Sequence, residues 1–124
     1  MDTIEIEATA NTPSVKFYPD RGYLIIKGRS LSEKSVEFYR PLLNSIEKYV
    51  FKPVSPTVVD IHFEYLNTAS AKCIIELLKR LESVHKKDMK VEVNWHYKTG
   101  EHTMYQSGMD YKSILKLDFK LVKL

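Results

Sequence analysis

Apolar and polar residues alternate along several short segments of this 124-residue chain, as they do in β-strands that bury one face. Six segments have this pattern or the composition of short strands: Ile4–Ala8, Val15–Tyr18, Tyr23–Gly28, Thr57–Leu66, Lys90–Tyr97 and Leu117–Leu124. The turn-forming run Pro19–Gly22 separates the second segment from the third and predicts a hairpin.

In the longer strands the apolar residues fall on one face and the polar residues on the other. The expected core-facing residues are Ile61, Phe63, Tyr65, Val91, Val93, Trp95, Tyr97, Leu117, Phe119 and Leu121. The expected opposite face carries Asp60, His62, Glu64, Glu92, Asn94, His96, Asp118 and Lys120. A sheet covered on both faces would have continuous apolar strands instead, so we expect helices on one face only.

Three segments between these strands have apolar residues at helical spacing. Ser30-Leu31-Ser32-Glu33 fits a capping box and predicts the start of the first helix. The expected inward face of that helix is Val36, Tyr39, Leu43, Ile46 and Val50. Pro41 lies inside it and is expected to kink or restart it. The second helix is predicted from Thr68 to about residue 86, and the third over about 103–115, where Gly108 weakens the pattern.

This succession of elements predicts an α/β fold with two layers, in which the helices pack on one face of a mixed sheet of four to five strands. Strand–helix–strand units need right-handed crossovers, so the middle strands are expected to be parallel. The chain has no linker and no repeat, and we expect a single domain over residues 1–124.

Composition and charge exclude several classes of protein. The net charge of +3 comes from 19 basic and 16 acidic residues that are scattered along the chain, so no nucleic-acid-binding arm is predicted. The single cysteine, Cys73, has no partner for an internal disulfide, which favours a reducing compartment. No signal peptide is visible, and no apolar run approaches the roughly 18 residues that span a bilayer. The expectation is a cytoplasmic protein without membrane insertion.

The tetrapeptide Asn67-Thr68-Ala69-Ser70 joins a predicted strand to a predicted helix and is the strongest candidate site. The first turn of a helix has N–H groups without helical partners, and together with the helix dipole they favour an anion. Asn67 suits the N-cap position, which leaves the Thr68 hydroxyl free at the first helical position. Simple N-capping explains the same residues, so the spacing alone leaves both interpretations open.

Three further residues belong to this candidate site. Ser70 is a second hydroxyl in the same turn and a fallback phosphate acceptor, and Lys72 lies one turn further on, where it can act as a counter-ion. Arg29 follows a predicted strand, and its guanidinium can pair with a carboxylate of this protein, of a kinase or of an effector.

The polar sheet face offers an alternative site for a small enzyme or a metal-binding domain. Asp60, His62 and Glu64 project the same way, and His96 can lie across from them on a neighbouring strand. Polar residues also alternate with the core on any one-sided sheet, so a solvated or docking surface is the favoured interpretation. The chain has no phosphate-binding Gly-rich loop, no nucleophile elbow and no Cys-x-x-Cys, and no catalytic, cofactor-binding or metal-binding residue is predicted.

Several motifs, which occur in order along nearly the whole chain, resemble the SiaC family of bacterial regulatory phosphoproteins. The matching segments are Thr12-Pro13, the turn through Gly22, Gly28-Arg29-Ser30, Phe38-Tyr39-Arg40-Pro41-Leu42, Phe63-Glu64-Tyr65-Leu66-Asn67-Thr68, Lys72, Val93-Asn94-Trp95 with Tyr97, and Gly108 with Asp110-Tyr111. The family's fold is similar to that of STAS domains and anti-sigma-factor antagonists, which agrees with the two-layer prediction.

The resemblance implies a function that composition and periodicity do not. Thr68 matches the family's phosphorylated threonine, so it is expected to be phosphorylated by a dedicated kinase and dephosphorylated by a PP2C-type phosphatase. The unphosphorylated form is expected to bind and activate a diguanylate cyclase in cyclic di-GMP signalling, and phosphorylation is expected to prevent this. The protein itself is then not an enzyme.

Three segments depart from the family pattern. Leu31-Ser32-Glu33-Lys34 follows Gly28-Arg29-Ser30, where the family usually has Tyr-Pro-Glu-Asn. Ala69-Ser70-Ala71 stands where the family has two or three serines after the Asn-Thr motif. The loop Lys98–Thr103 stands where the family loop is strongly acidic, and it contains one acidic residue, Glu101. These departures concern the surface on which a partner is expected to bind.

Overall fold

The computed structural model describes residues 2–124, which form one six-stranded sheet and three α-helices. In chain order the elements are β1 (Ile4–Ile6), β2 (Ser14–Tyr18), β3 (Tyr23–Ser30), α1 (Ser35–Tyr49), β4 (Thr57–Leu66), α2 (Thr68–His85), β5 (Val91–Tyr97), α3 (His102–Ile114) and β6 (Asp118–Lys123). A 3₁₀ turn, Pro19–Arg21, makes the predicted hairpin between β2 and β3.

The sheet order follows the chain order from β1 to β6. The first three strands are antiparallel, and β3 to β6 are parallel, with one helix in each parallel connection. Right-handed crossovers that all advance in one direction place their helices on the same face of the sheet. The two-layer α/β prediction is therefore confirmed, but the sheet has six strands rather than four to five, because β1 also pairs with β2.

The predicted and observed boundaries of the secondary-structure elements agree best on either side of the candidate site. Strand β4 covers the predicted segment, and α2 begins at Thr68 and ends at His85. The predicted capping box is wrong, because Ser30 is the last residue of β3 and α1 begins only at Ser35. The Ser30 hydroxyl is buried among other hydroxyls, and Lys34 takes the N-cap position without a side-chain hydrogen bond.

The inward face of α1 also differs from the prediction. Its buried residues are Ser35, Tyr39, Leu42, Ile46 and Tyr49. Val36, which was expected in the core, is 57% exposed. The two tyrosines can be buried because each hydroxyl finds a hydrogen-bond partner inside the protein. The helix continues through Pro41, which is exposed, so the carbonyl that loses its partner there lies on the solvent side.

Trp95 of β5 fixes α3 against the sheet. Its indole N–H donates to the Met104 carbonyl at 2.9 Å, and its ring lies edge-on to Tyr111 at 5.1 Å between centroids. Phe63 and Phe119 lie beside the same ring. These contacts place the start of α3 next to the carboxyl end of β4, where the candidate site begins.

In the part of the chain that the structure describes, no helix is both long enough and apolar enough to cross a bilayer.

Candidate functional site

Thr68 is the first residue of α2 and is exposed to solvent. Strand β4 ends at Leu66, and one residue, Asn67, connects it to the helix. The backbone N–H of Asn67 donates to the Ser30 carbonyl at 3.0 Å, which holds this connection against the end of β3. The threonine is therefore presented at the carboxyl edge of the parallel sheet by elements that are fixed on both sides.

Asn67 provides the N-cap of α2. Its side-chain oxygen accepts a hydrogen bond from the Ser70 N–H at 2.8 Å, and its Nδ2 donates to the Ser32 carbonyl at 3.2 Å. The predicted division of roles is confirmed, because capping does not need the Thr68 hydroxyl. That hydroxyl makes no hydrogen bond to any of residues 2–124 and is free to react or to contact a partner.

Ser70 has a different environment from Thr68, although both lie in the same turn. It is 0% exposed, and its hydroxyl lies 2.7 Å from that of Ser30 and 2.8 Å from that of Ser35. A kinase cannot reach it in this conformation. The expectation that Ser70 is a second acceptor is therefore wrong, and its role is structural.

Lys72 and Arg29 have different surroundings. Lys72 is exposed on α2, one turn after Thr68. The Arg29 Nε donates to the Ala10 carbonyl at 3.1 Å, and the guanidinium lies 4.7 Å above the centre of the Tyr65 ring. Within the described residues no carboxylate pairs with Arg29, so the expected intramolecular ion pair is replaced by this stacking.

Tyr65 is exposed, contrary to the strand alternation that predicts it in the core. The pairing of β3 with β4 shifts between Gly28 and Arg29, so that Gly28 lies opposite Phe63 and Arg29 lies opposite Tyr65. The extra residue, Glu64, is a β-bulge that turns the end of β4, and Tyr65 becomes 55% exposed. A glycine inside a strand, here Gly28 with φ of 127°, is the signal in the sequence that could have indicated this bulge.

A groove of ≈ 760 Å³ opens beside Tyr65, between the end of β4 and the start of α3. It is lined by Glu64, Tyr65, Leu66, Lys98, Gly100, Glu101, His102, Thr103, Met104 and Ser107. The non-acidic loop that departs from the family pattern thus forms one wall of a groove adjoining the start of α2.

The opposite sheet face holds a hydrogen-bonded network centred on Asp60. Its carboxylate accepts from the Tyr23 hydroxyl at 2.7 Å and from Asn94 Nδ2 at 2.9 Å, and lies 3.6 Å from His96 Nε2. Burial, followed by the bond to Asp60, raises the pKa of Tyr23 to about 12, so the phenol remains the donor. Burial also lowers the pKa of His62, with a smaller effect from the charge of Lys27.

This network does not form the alternative site that the sequence suggested. The His62 and His96 rings are 6.2 Å apart between centroids, but Glu64 lines the groove instead of joining them. Among the residues described, no three His, Cys, Asp or Glu side chains are close enough together to hold a metal ion. Cys73 is buried, and burial raises the pKa of its thiol, which disfavours the reactive thiolate.

Comparison with known proteins gives one family and one fold. A family model described as SiaC family regulatory phosphoprotein matches residues 6–124. An uncharacterized protein of Pseudomonas aeruginosa strain UCBPP-PA14 is 25% identical over 121 residues, which cover 98% of this chain and 96% of that protein.

Solved structures from Pseudomonas aeruginosa superpose closely on this chain. SiaC of Pseudomonas aeruginosa matches with a TM-score of 0.90 at 24% identity, with 100% of both chains covered. A crystal structure of the diguanylate cyclase SiaD in complex with its activator SiaC also matches, with a TM-score of 0.90, 24% identity, and coverage of 98% of this chain and 99% of that chain. At this level of identity the structures establish a shared fold.

Proposed function

Because this chain belongs to the SiaC family of regulatory phosphoproteins, we propose that reversible phosphorylation of Thr68 switches its binding to a signalling effector. The observation that carries the proposal is the position of Thr68, which is exposed at the first turn of α2 while Asn67 supplies the cap. A phosphate there adds about −1.5 to −2 charges without removing any hydrogen bond of the folded protein.

The proposed effector is a diguanylate cyclase, since a relative of the same fold is an activator of such an enzyme. A dedicated kinase and a PP2C-type phosphatase are the proposed enzymes that add and remove the phosphate in the cytoplasm. In this proposal the chain acts as one non-enzymatic regulatory domain over residues 1–124. The effector binds at the start of α2, with Arg29 and Tyr65 on one flank.

Electrostatics explains why phosphorylation of Thr68 would weaken effector binding. In the phosphorylated protein the new oxygens accept from N–H groups of the first turn, and Lys72 contributes a nearby positive charge. A partner that buries the unmodified hydroxyl would have to remove water from a dianion instead, which costs several kcal/mol. Since each 1.4 kcal/mol changes affinity about tenfold, phosphorylation abolishes micromolar binding.

Mass spectrometry of the protein purified from its own host tests the modification. We expect a phosphate on Thr68 in a fraction of the molecules, and its loss after treatment with a PP2C-type phosphatase. Phosphate that is found only on other residues would overturn the proposal.

Affinity capture tests the switch itself. Thr68→Ala bait should retain a diguanylate cyclase from host lysate, whereas Thr68→Asp should reduce the retained amount about tenfold or more. Thr3→Asp is the matched control, because Thr3 is an exposed threonine next to β1, whose pairing places it at the opposite end of the sheet from Thr68. Equal capture by the Thr68→Ala and Thr68→Asp baits would contradict the proposed switch.

A further inference from the structure

Four buried hydroxyls form a continuous chain between the first turn of α2, the end of β3 and the first two turns of α1. The Tyr39 hydroxyl lies 2.7 Å from that of Ser30, which lies 2.7 Å from that of Ser70, which lies 2.8 Å from that of Ser35. All four residues are almost completely buried. No contact of this chain of hydroxyls involves the exposed Thr68 side chain directly.

Most donors in this chain of hydroxyls can be assigned. Ser35 donates its hydrogen to the Ser32 carbonyl at 2.7 Å, and Ser30 donates to Ser70. Each hydroxyl has one hydrogen, so Tyr39 donates to Ser30. The Ser70 hydroxyl has two acceptors within reach, the Ser35 hydroxyl at 2.8 Å and the Ser30 carbonyl at 3.2 Å. Burial raises the pKa of Tyr39, which keeps its phenol protonated as the first donor. Every hydroxyl hydrogen therefore has an acceptor, either another hydroxyl of the chain or a backbone carbonyl of the segment Ser30–Ser35.

Asn67 also forms hydrogen bonds to the segment Ser30–Ser35. Asn67, which precedes Thr68, donates its Nδ2 to the Ser32 carbonyl at 3.2 Å, and its backbone N–H donates to the Ser30 carbonyl. Thr68 thus lies between two residues, Asn67 and Ser70, that are both bonded to the segment Ser30–Ser35. The position of Thr68 depends on α1 as well as on its own helix.

We propose that this hydroxyl chain couples the first turns of α1 and α2, and that Ser70, Ser35 and Tyr39 are positioning residues that hold Thr68 in the geometry its kinase requires. This inference rests on the proposed phosphorylation of Thr68. Loss of one hydroxyl leaves a buried polar partner unpaired, which favours a conformation in which both turns open together. A site that is competent only part of the time binds more weakly by that fraction.

Two tyrosines of α1 allow a matched pair of substitutions for the test. Tyr39→Phe and Tyr49→Phe each remove one buried phenol oxygen from the same helix without changing its shape. Tyr49 bonds the Thr57 hydroxyl at 2.7 Å, at the opposite end of β4 from Thr68. Likewise Ser70→Ala is compared with Thr57→Val, which removes that other buried hydroxyl.

Amide hydrogen–deuterium exchange measures the coupling without any partner. Tyr39→Phe and Ser70→Ala should each accelerate exchange about fivefold or more in both first turns, at residues 35–38 and 68–72, within the usual range of coupling between sites. The two control variants should leave both segments unchanged. Acceleration in Ser70→Ala that is confined to residues 68–72 would overturn the inference.

Phosphorylation kinetics measure the consequence. Host lysate supplies the kinase, and labelled ATP supplies the phosphate. Tyr39→Phe should raise the KM for phosphate transfer to Thr68 about fivefold or more at unchanged kcat. Tyr49→Phe should leave both the KM and the kcat at their wild-type values. If the wild-type protein is phosphorylated at Thr68 and both variants have its KM, the positioning role is wrong and the proposed function stands. If the wild-type protein takes no phosphate at Thr68, the proposed function fails, while the exchange data still decide whether the two turns are coupled.

Discussion

The missing side chain of Gly108 sets how closely α3 approaches the sheet. A Cβ at this position would lie 2.5 Å from Cδ1 of Trp95 and 3.1 Å from Cδ2 of Leu121. By its helix propensity alone, a glycine at this position weakens α3. In the structure it is buried and allows the indole of Trp95 to lie directly against the backbone of α3. One helix-weakening residue is thus required by tertiary packing.

We expect Gly108→Ala to destabilise the protein by about 1–3 kcal/mol, although alanine is the better helix former. The indole cannot move away easily because it is fully buried and bonded to the Met104 carbonyl. Urea unfolding followed by Trp fluorescence measures the change. Met109→Ala, at the next and exposed position, is the control and should change stability by less than about 0.5 kcal/mol. Unchanged or increased stability in Gly108→Ala would show that α3 can move away from Trp95.

At the scale of secondary structure, α1 and α2 begin in different ways. Asn67 caps α2 through its side chain, whereas Lys34 at the start of α1 makes no capping bond. The start of α1 is held instead by Ser35, whose hydroxyl donates to the Ser32 carbonyl. Both helix starts are therefore tied to the same short segment after β3.

Asn67→Ala should lower the free energy of unfolding by about 1–2 kcal/mol, because α2 loses its cap and the Ser32 carbonyl loses a donor. Asn67→Ser is the matched control, since it keeps an oxygen that can accept from the Ser70 N–H, and it should retain part of this stability. Thermal and denaturant unfolding provide the measurement. Equal losses in the two variants would mean that capping contributes little.

At the scale of the whole molecule, all helices lie on one face of the sheet, and the other face is left to polar side chains. On that face Asp60 is hydrogen-bonded to two neighbouring strands, through Tyr23 of β3 and Asn94 of β5. His62 lies beside this network with a pKa that burial and Lys27 hold below its ordinary value. The open face therefore makes the stability of the fold depend on pH.

Whether stability rises or falls with pH follows from the lowered pKa of folded His62. Because folded His62 takes up its proton at lower pH than the unfolded imidazole does, the unfolded chain binds more protons between the two pKa values. The contribution of neutral His62 is complete above about pH 6.5 and is lost as the pH falls below that value. Stability should thus rise with pH through this window.

His62→Gln should flatten the rise in unfolding free energy between about pH 5 and pH 7, as measured by urea unfolding at a series of pH values. His102→Gln removes an exposed imidazole and is the control that should keep the wild-type slope. A slope that is equal in wild type and His62→Gln would assign the dependence to other groups.

Local patterns in the sequence were enough to predict several parts of this protein. The alternation along β4 and the change to helical spacing at Thr68 located the strand, the helix start and the exposed threonine between them. Such patterns are readable because they depend on backbone geometry and on which face of an element is buried. The one-sided alternation also predicted the two-layer arrangement.

Which polar side chains come into contact depends on how the elements pack together. Ser30, Ser35 and Ser70 come together from three elements, so Ser30 ends a strand instead of capping a helix, and Ser70 is buried beside an exposed Thr68. Tyr65 is exposed although the strand alternation predicts it in the core, because the bulge at Glu64 shifts the register between β3 and β4 near their carboxyl ends. These outcomes depend on contacts between residues far apart in the chain, and no local spacing encodes them.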